Sequence, residues 1–142
     1  MVEHCLHVSP QEAVGMLAGH LGLAMEVQPL PNIAPPPDNL RAFLVDPYEQ
    51  FQAERRIARC GMELVAVYHS HPGGGAALSV NDIAINRNRL CIQVVVAFPM
   101  VGSVEGTTRA FQIIDGEPVE VPIVIVSRVD NGERHSASKV FP

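Results

Sequence analysis

Two histidines separated by one residue are the first feature of this 142-residue sequence that could do chemistry. His69 and His71 follow the apolar run 64–68, which predicts a β-strand. Side chains two residues apart on a strand point to the same face, so both imidazoles would be presented together. Pro72 has no N–H for the ladder and ends the strand. Such a pair also occurs by chance, and it predicts a metal site only in company with other features.

A glycine loop and a helix start follow the histidines. Residues 73–75 are three glycines, which can take positive φ, and Ser79 with Asp82 is typical of the first turn of a helix. Such a turn could bring Asp82 back beside the two imidazoles. Two nitrogens and one carboxylate oxygen would then be three zinc ligands, with a fourth position left for water. The alternatives are a plain surface loop and a helix cap, Ser79-x-x-Asp82, that needs no metal.

Residues 69–82, HSHPGGGAALSVND, resemble the metal motif of the JAMM (MPN+, Mov34-type) metallopeptidases, His-Ser/Thr-His-Pro and then Ser-x-x-Asp. That family also carries a glutamate ahead of an apolar Gly-Leu-Leu-x-Gly run, and residues 11–19, QEAVGMLAG, match it. The likeness extends over residues 10–126. It implies a single MPN-type domain of the α/β (α+β-like) class, with a mixed, mostly antiparallel sheet flanked by helices.

The resemblance also implies roles for five residues. Glu12 would be the catalytic acid/base and Ser79 would stabilise the oxyanion, while one Zn²⁺ would be bound by His69, His71 and Asp82. From periodicity alone, Glu12 is a solvated residue near a strand start, so only the family pattern makes it a catalytic candidate. The implied activity is zinc-dependent hydrolysis of a peptide or isopeptide bond.

The compact chain bears on the substrate that the resemblance implies. Residues 83–126 leave no room for the insertion with which eukaryotic deubiquitinating members recognise linked ubiquitin. The chain looks more like the stand-alone bacterial members that act at the C-terminus of ubiquitin-like or sulfur-carrier proteins of the ThiS/MoaD type. Two alternatives stay open: a non-catalytic MPN scaffold, which normally lacks the metal ligands, and a RadC-like DNA-repair role. Cupins and amidohydrolase barrels also use His-x-His, but the first expect a nearby glutamate and the second a much longer chain.

Composition limits the partners. The net charge of −5 argues against a nucleic-acid surface, and no apolar run approaches the ~18 residues of a membrane span. The N-terminus has no basic segment followed by an apolar one, which argues against secretion. Cys5, Cys60 and Cys91 are widely spaced without a Cys-x-x-Cys pair, as expected of reduced thiols. We therefore expect a cytoplasmic protein.

The remaining elements are predicted from local patterns. The strands expected outside the histidine segment span residues 12–19, 25–28, 41–45, 91–98, 107–114 and 119–126. Helices are expected over residues 1–8, 47–60 and 80–90, the second capped by Asp46 and carrying Tyr48, Phe51 and Ala58 at helical spacing. In the third helix the buried side is expected to consist of Val80, Ile83, Ala84 and Leu90. The proline-rich residues 29–39 predict an irregular loop.

The two ends of the chain carry separate expectations. The resembled family usually starts with a strand and a full helix before its glutamate, and here both are shortened or missing. An unpaired sheet edge invites pairing, so a homodimer is plausible. The domain is expected to span residues 1–126, and residues 127–142 have the polar composition of a disordered tail.

Overall fold

A computed structural model describes residues 1–86 and 91–126. Its helices are α1 (Val2–Val8), α2 (Pro47–Arg59) and α3 (Val80–Asn86), with a 3₁₀ turn over Asp38–Leu40. Its strands are β1 (Val14–His20), β2 (Leu23–Leu30), β3 (Glu63–Pro72), β4 (Ile92–Phe98), β5 (Thr107–Ile114) and β6 (Glu117–Val121). The expected tail, residues 127–142, lies outside the described residues.

The strands form one sheet in the order β2-β1-β3-β4-β5-β6. Only β3 and β4 pair in parallel, and every other neighbouring pair is antiparallel. A parallel pair needs a crossover, and here the segment containing α3 supplies it. The predicted mixed, mostly antiparallel sheet flanked by helices is confirmed. The buried run predicted over residues 91–98 is a central strand, as expected.

Alternate residues of the central strands feed two hydrophobic clusters on opposite faces of the sheet. On one face, Cys5 of α1 packs with Leu17 and Tyr68. On the other, Ala53 and Ile57 of α2 pack with residues such as Val14, Met16 and Ala18. The helix expected at residues 1–8 is therefore present and covers one face of the sheet.

The predicted cap of α2 is confirmed, and the apolar residues noted at helical spacing are not the ones that pack against the sheet. Asp46 accepts hydrogen bonds from the backbone N–H groups of Tyr48 and Glu49. The side chains of Tyr48 and Phe51 are 66% and 53% exposed, and Ala58 is exposed as well. The buried residues are the smaller Ala53 and Ile57, one helical turn apart, which form the seam against the sheet.

The strand predicted over residues 41–45 is wrong. The Asn32 side chain takes up the backbone groups that a strand neighbour would have used. Its Nδ2 donates to the Ala42 carbonyl at 3.0 Å, and its Oδ1 accepts from the Leu44 N–H at 3.1 Å. The loop predicted over residues 29–39 is also shorter than expected, because β2 continues to Leu30 and a 3₁₀ turn begins at Asp38.

The third helix presents a different side to the interior than predicted. Val80 is 83% exposed and Ala84 is exposed, while Ile83 is half-buried. The buried residues are Asp82 and Asn86, one turn apart, because this helix turns its polar side toward the end of β3. Residues 87–90, with the predicted core residue Leu90, lie outside the described residues.

The second strand of the last hairpin begins and ends earlier than predicted. Asp115 and Gly116 both have positive φ, as the predicted tight turn requires, so the returning strand starts at once with Glu117. It ends at Val121, because Pro122 has no N–H to continue the ladder. Among the described residues, no helix is long and apolar enough to cross a membrane.

Candidate metal centre

The two histidines lie at the end of β3, next to the first residues of the glycine loop. Val67 packs into the cluster on the α2 side of the sheet, and the even spacing places His69 and His71 on the same side. The Phe43 ring contacts the His69 ring with 5.0 Å between centroids, and His69 is only 1% exposed. His71 is less buried and faces a cavity.

The carboxylate of Asp82 is oriented by the start of α3. The Ser79 backbone N–H donates to Asp82 Oδ2 at 2.7 Å, and the Asp82 N–H donates to Ser79 Oγ at 3.2 Å. This reciprocal pair is a capping box. The cap and the metal-ligand interpretations of Ser79-x-x-Asp82 are therefore compatible, because the capped carboxylate is the one that reaches the histidines.

Three potential ligand atoms converge at this point. His69 Nε2 lies 3.0 Å from His71 Nε2, and Asp82 Oδ2 lies 3.4 Å from the first and 3.5 Å from the second. A tetrahedral zinc site with bonds of about 2.0–2.1 Å has about 3.3 Å between neighbouring ligands. The donor types and all three separations therefore fit one zinc ion, with a fourth position open.

A backbone carbonyl sets the orientation of one imidazole. His71 Nδ1 lies 2.8 Å from the Gly75 carbonyl oxygen, which can only accept a hydrogen bond. Nδ1 therefore carries the proton, and in the neutral ring the lone pair is left on Nε2, which faces the other two donors. Metal-binding histidines are commonly held in this way. The glycine loop thus contributes an orienting carbonyl as well as a turn.

The electrostatics of the cluster favour a positive charge at its centre. Burial alone would raise the pKa of the Asp82 carboxyl, but hydrogen bonds with His69 and His71 hold it well below its usual range. Burial lowers the pKa of His71, but the hydrogen bonds to Asp82 and Gly75 and the charges of Glu12 and Asp82 together outweigh it, so the net shift is upward. The Asp82 carboxylate would stabilise a cation at this point, whether a proton on His71 or a metal ion.

Glu12 lies just before β1 and is buried, not solvated. It is 5% exposed, and its backbone N–H donates to the Asn39 carbonyl at 2.9 Å. Burial raises the pKa of its carboxyl from 4.5 to about 7; Asp82 adds to that rise and His71 opposes it. A carboxyl with a pKa near neutrality is suited to accept and return a proton.

A cavity of about 500 Å³ opens onto Glu12, His71 and Ser79, and His69 and Asp82 reach the site through their contacts with His71. The cavity is lined by Pro10, Glu12, Leu40, Arg41, His71, Pro72, Gly73, Gly74, Ser79 and Val101. Ser79 Oγ already accepts the Asp82 N–H, and in the described part of the chain its own O–H has no acceptor, so it can donate into the cavity. The structure thus brings all five sequence-predicted residues to one site.

Sequence reasoning missed three residues around this site. Asn32 donates through Nδ2 to the Glu12 carbonyl at 3.0 Å, Asn39 accepts from the Glu12 N–H, and Arg41 lines the cavity. Asn32 and Asn39 lie in the proline-rich segment, and no local spacing in the sequence indicates their hydrogen bonds to Glu12. The one available signal was an asparagine among prolines, which often bonds to nearby backbone.

Comparison with known proteins supports the family that the sequence motifs resemble. The model of the family described as prokaryotic homologs of the JAB domain matches residues 1–114. A curated protein of Thermus thermophilus, named a probable TtuB-protein conjugate cleaving protease, is 37% identical over 123 residues, which cover 87% of this chain and 74% of that protein.

Solved structures share the fold. A solution structure from Desulfitobacterium hafniense has a TM-score of 0.77 at 22% identity and covers 96% of this chain and 92% of its own. The crystal structure of a JAB1/MPN domain protein from Archaeoglobus fulgidus has a TM-score of 0.54 at 20% identity, with 87% of both chains covered. The predicted MPN-type fold is thereby confirmed.

Proposed function

The chain belongs to the family of prokaryotic homologues of the JAB domain, and from this premise we propose that it is a zinc metallopeptidase. It would hydrolyse a peptide or isopeptide bond at the C-terminus of a ubiquitin-like or sulfur-carrier protein. The observation that supports this most is the triangle of His69 Nε2, His71 Nε2 and Asp82 Oδ2, with sides of 3.0–3.5 Å, beside the buried carboxyl of Glu12.

Each residue of the site has its own role in the proposed reaction. Zinc held by His69, His71 and Asp82 would supply a Lewis acid that polarises the scissile carbonyl and acidifies water. Glu12 takes the proton from the attacking water and returns it to the leaving nitrogen, which its pKa of about 7 permits near neutral pH. The Ser79 O–H donates to the developing oxyanion, a contribution of about 3 kcal/mol in comparable sites.

The substrate class rests on the name of the relative. The Thermus thermophilus relative is named for cleaving conjugates of the protein TtuB. We extend that class, an extended carrier C-terminus joined to another group, to this chain. We also propose a cytoplasmic location, because the widely spaced cysteines, which show no disulfide among the described residues, are typical of reduced thiols.

The test compares the wild-type protein with Glu12→Gln in the presence of zinc. The substrates are ThiS/MoaD-type carriers with extra C-terminal residues, and the same carriers joined to a lysine. We expect cleavage by the wild type and a fall of about 10²–10⁴-fold in Glu12→Gln, with the zinc content unchanged. Glu49→Gln, an exposed glutamate on α2, is the matched control and should behave as wild type.

Two outcomes would contradict the proposal. Normal cleavage by a zinc-loaded Glu12→Gln protein would remove Glu12 from the mechanism. A zinc-loaded wild type that cuts none of the carriers would favour the non-catalytic scaffold instead.

A further inference from the structure

Arg41 lines the cavity and, among the described residues, forms no ion pair. Arg41 is exposed and lines the cavity together with Glu12, His71 and Ser79. Within residues 1–86 and 91–126, its guanidinium forms no ion pair, whereas Arg109 pairs with Glu120. Arg41 is therefore available to a ligand that enters the cavity.

The backbone under Arg41 is tied to Glu12 from two sides. The Arg41 N–H donates to the Asp38 carbonyl at 2.9 Å and so closes the 3₁₀ turn. On the next residue, the Ala42 carbonyl accepts from Asn32, whose same amide group also donates to the Glu12 carbonyl. Asn39, two residues before Arg41, accepts from the Glu12 N–H. Hydrogen bonds on either side of Arg41 therefore fix the position of its backbone relative to Glu12.

The charges of the site define what Arg41 would bind. The carboxyl groups of Glu12 and Asp82 would offset the charge of a bound zinc ion, and the whole chain carries −5, so Arg41 is the cationic side chain on the cavity wall that can attract an anionic substrate group. A guanidinium presents two parallel N–H groups to a carboxylate and binds it with directional preference. The ligand that fits is a carboxylate within about a residue of the bond to be cut, because Arg41 and Glu12 line one cavity of about 500 Å³.

We propose that Arg41 is a specificity-determining residue that binds the α-carboxylate of a short C-terminal extension on the substrate. This inference rests on the proposed peptidase function and narrows its substrate class. A residue added linearly to a carrier C-terminus brings its own α-carboxylate close to the scissile amide. A lysine Nζ conjugate places a long aliphatic arm there instead. Arg41 therefore selects linear extensions over lysine-linked adducts.

The activity test uses three substrates made from one carrier: a single alanine extension with a free α-carboxylate, its C-terminal amide, and a lysine isopeptide adduct. In Arg41→Gln we expect kcat/KM for the free acid to fall about tenfold, the worth of one charge-assisted pair. The amide and the adduct should change less than about twofold. Arg56→Gln, an exposed arginine of α2 away from the cavity, should leave all three unchanged.

A binding test separates this inference from the peptidase proposal itself. Zinc-loaded Glu12→Gln protein, which should bind without cutting, is titrated with a short peptide that ends in Gly-Gly-Ala, as free acid and as amide. We expect preference for the free acid, lost when Arg41→Gln is added. This readout does not depend on turnover.

Three results would overturn the inference. These are equal binding of acid and amide, an acid preference that survives Arg41→Gln and so belongs to the metal, or an equal loss for all three substrates in Arg41→Gln. Cleavage of no substrate, with an Arg41-dependent preference for the acid intact, would instead overturn the peptidase proposal and leave the carboxylate site standing.

Discussion

Glu12 illustrates how burial converts an ordinary carboxyl into a group that titrates near neutral pH. No charged partner within the described residues pairs with it, and its pKa of about 7 comes first from desolvation. Ionising the Glu12 carboxyl therefore costs more free energy in the folded protein than in the unfolded chain. The same property that suits Glu12 to proton transfer should make it a measurable stability liability.

Metal-free protein should show this liability as a pH dependence. Between about pH 4.5 and 7 the folded state holds a proton on Glu12 that the unfolded chain has lost, so stability falls as pH rises through this window. Glu12→Gln should remove the effect. We expect the variant to be more stable than wild type by about 2–3 kcal/mol at pH 8, with the difference vanishing below pH 4.5.

Urea unfolding at a series of pH values measures this difference. Glu49→Gln, on the exposed surface of α2, is the control and should follow wild type at every pH. A Glu12→Gln protein whose stability relative to wild type does not vary with pH would show that the Glu12 pKa is not raised.

Asp82 allows a second test at the scale of single residues. Asp82→Asn keeps the shape of the side chain but removes the negative charge that faces both imidazoles. Zinc affinity, measured by competition with a chromophoric chelator, should fall at least about 100-fold, the upper end of what supporting groups contribute. Asp115→Asn, at the exposed hairpin turn, should bind zinc as wild type does; similar affinity in all three proteins would exclude Asp82 as a ligand.

Site residues whose contacts lie close together in the sequence could be predicted, whereas those whose contacts lie far apart in the sequence could not. His69, His71 and Asp82 lie within one short segment, so strand spacing and a helix start suggested that they could meet, and the family resemblance favoured this over a plain loop and cap. Glu12 comes from a different part of the chain, and its local pattern predicted the surface. Only the family resemblance selected it, because burial of a single side chain depends on distant elements.

Among the elements, the segment between β2 and α2 departs most from its predicted form. In place of a strand over residues 41–45, Asn32 bonds the backbone of Ala42 and Leu44, and it also bonds that of Glu12 and Ala34. Residues 41–45 are β-forming, so their local pattern predicted a strand. The hydrogen bonds of Asn32 span up to twenty residues and cannot be read from a local pattern. The departure matters, since this loop forms one wall of the cavity.

Removing the Asn32 amide should loosen that wall. Asn32→Ala leaves four backbone groups without their partner, and we expect a loss of about 2–3 kcal/mol in the free energy of unfolding. Cleavage by the surviving folded protein should fall through kcat, because Glu12 is no longer held. Asn81→Ala, at an exposed asparagine of α3, serves as the control. A fully active, fully stable Asn32→Ala protein would contradict the role of this loop.

Helix faces were harder to predict than helix positions. Asp46, Pro47 and Gly61 mark the ends of α2 through local chemistry, and these boundaries held to within one residue. The buried face of that helix could not be read from the apolar residues at helical spacing, because the choice between Phe51 and the smaller Ile57 depends on how closely the sheet approaches. The same competition between local pattern and tertiary packing explains α3, where a polar face is buried against the site.

For the molecule as a whole, zinc would join β3 and α3, two elements that the glycine loop connects in the sequence. The ligands come from the end of β3 and from α3, so an ion bound to the folded state alone should stabilise the entire fold. At a free zinc concentration of 100 times Kd, the expected gain is about 2.7 kcal/mol. Tm should rise on zinc addition and fall with a chelator. Asp82→Asn should show neither change, and a Tm insensitive to zinc in wild type would argue against binding.

The architecture was predictable because a few local signals determine it. Apart from the strand expected over residues 41–45, the order of strands and helices and the buried central strand could be read from the sequence, and the crossover through α3 makes β3 and β4 parallel. Both edge strands, β2 and β6, lack a neighbour on one side within the described sheet. The homodimer stays a prediction, since nothing in a single chain shows whether a second copy pairs with either edge; light scattering of the purified protein will decide it.

The central claim is that one zinc ion binds between the end of β3 and the start of α3, and X-ray absorption on zinc-loaded protein tests it most directly. The predicted result is one zinc per chain with only nitrogen and oxygen ligands at about 2.0–2.1 Å, which Asp82→Asn diminishes. Sulfur in the coordination shell, or a chain that retains no zinc, would contradict the account.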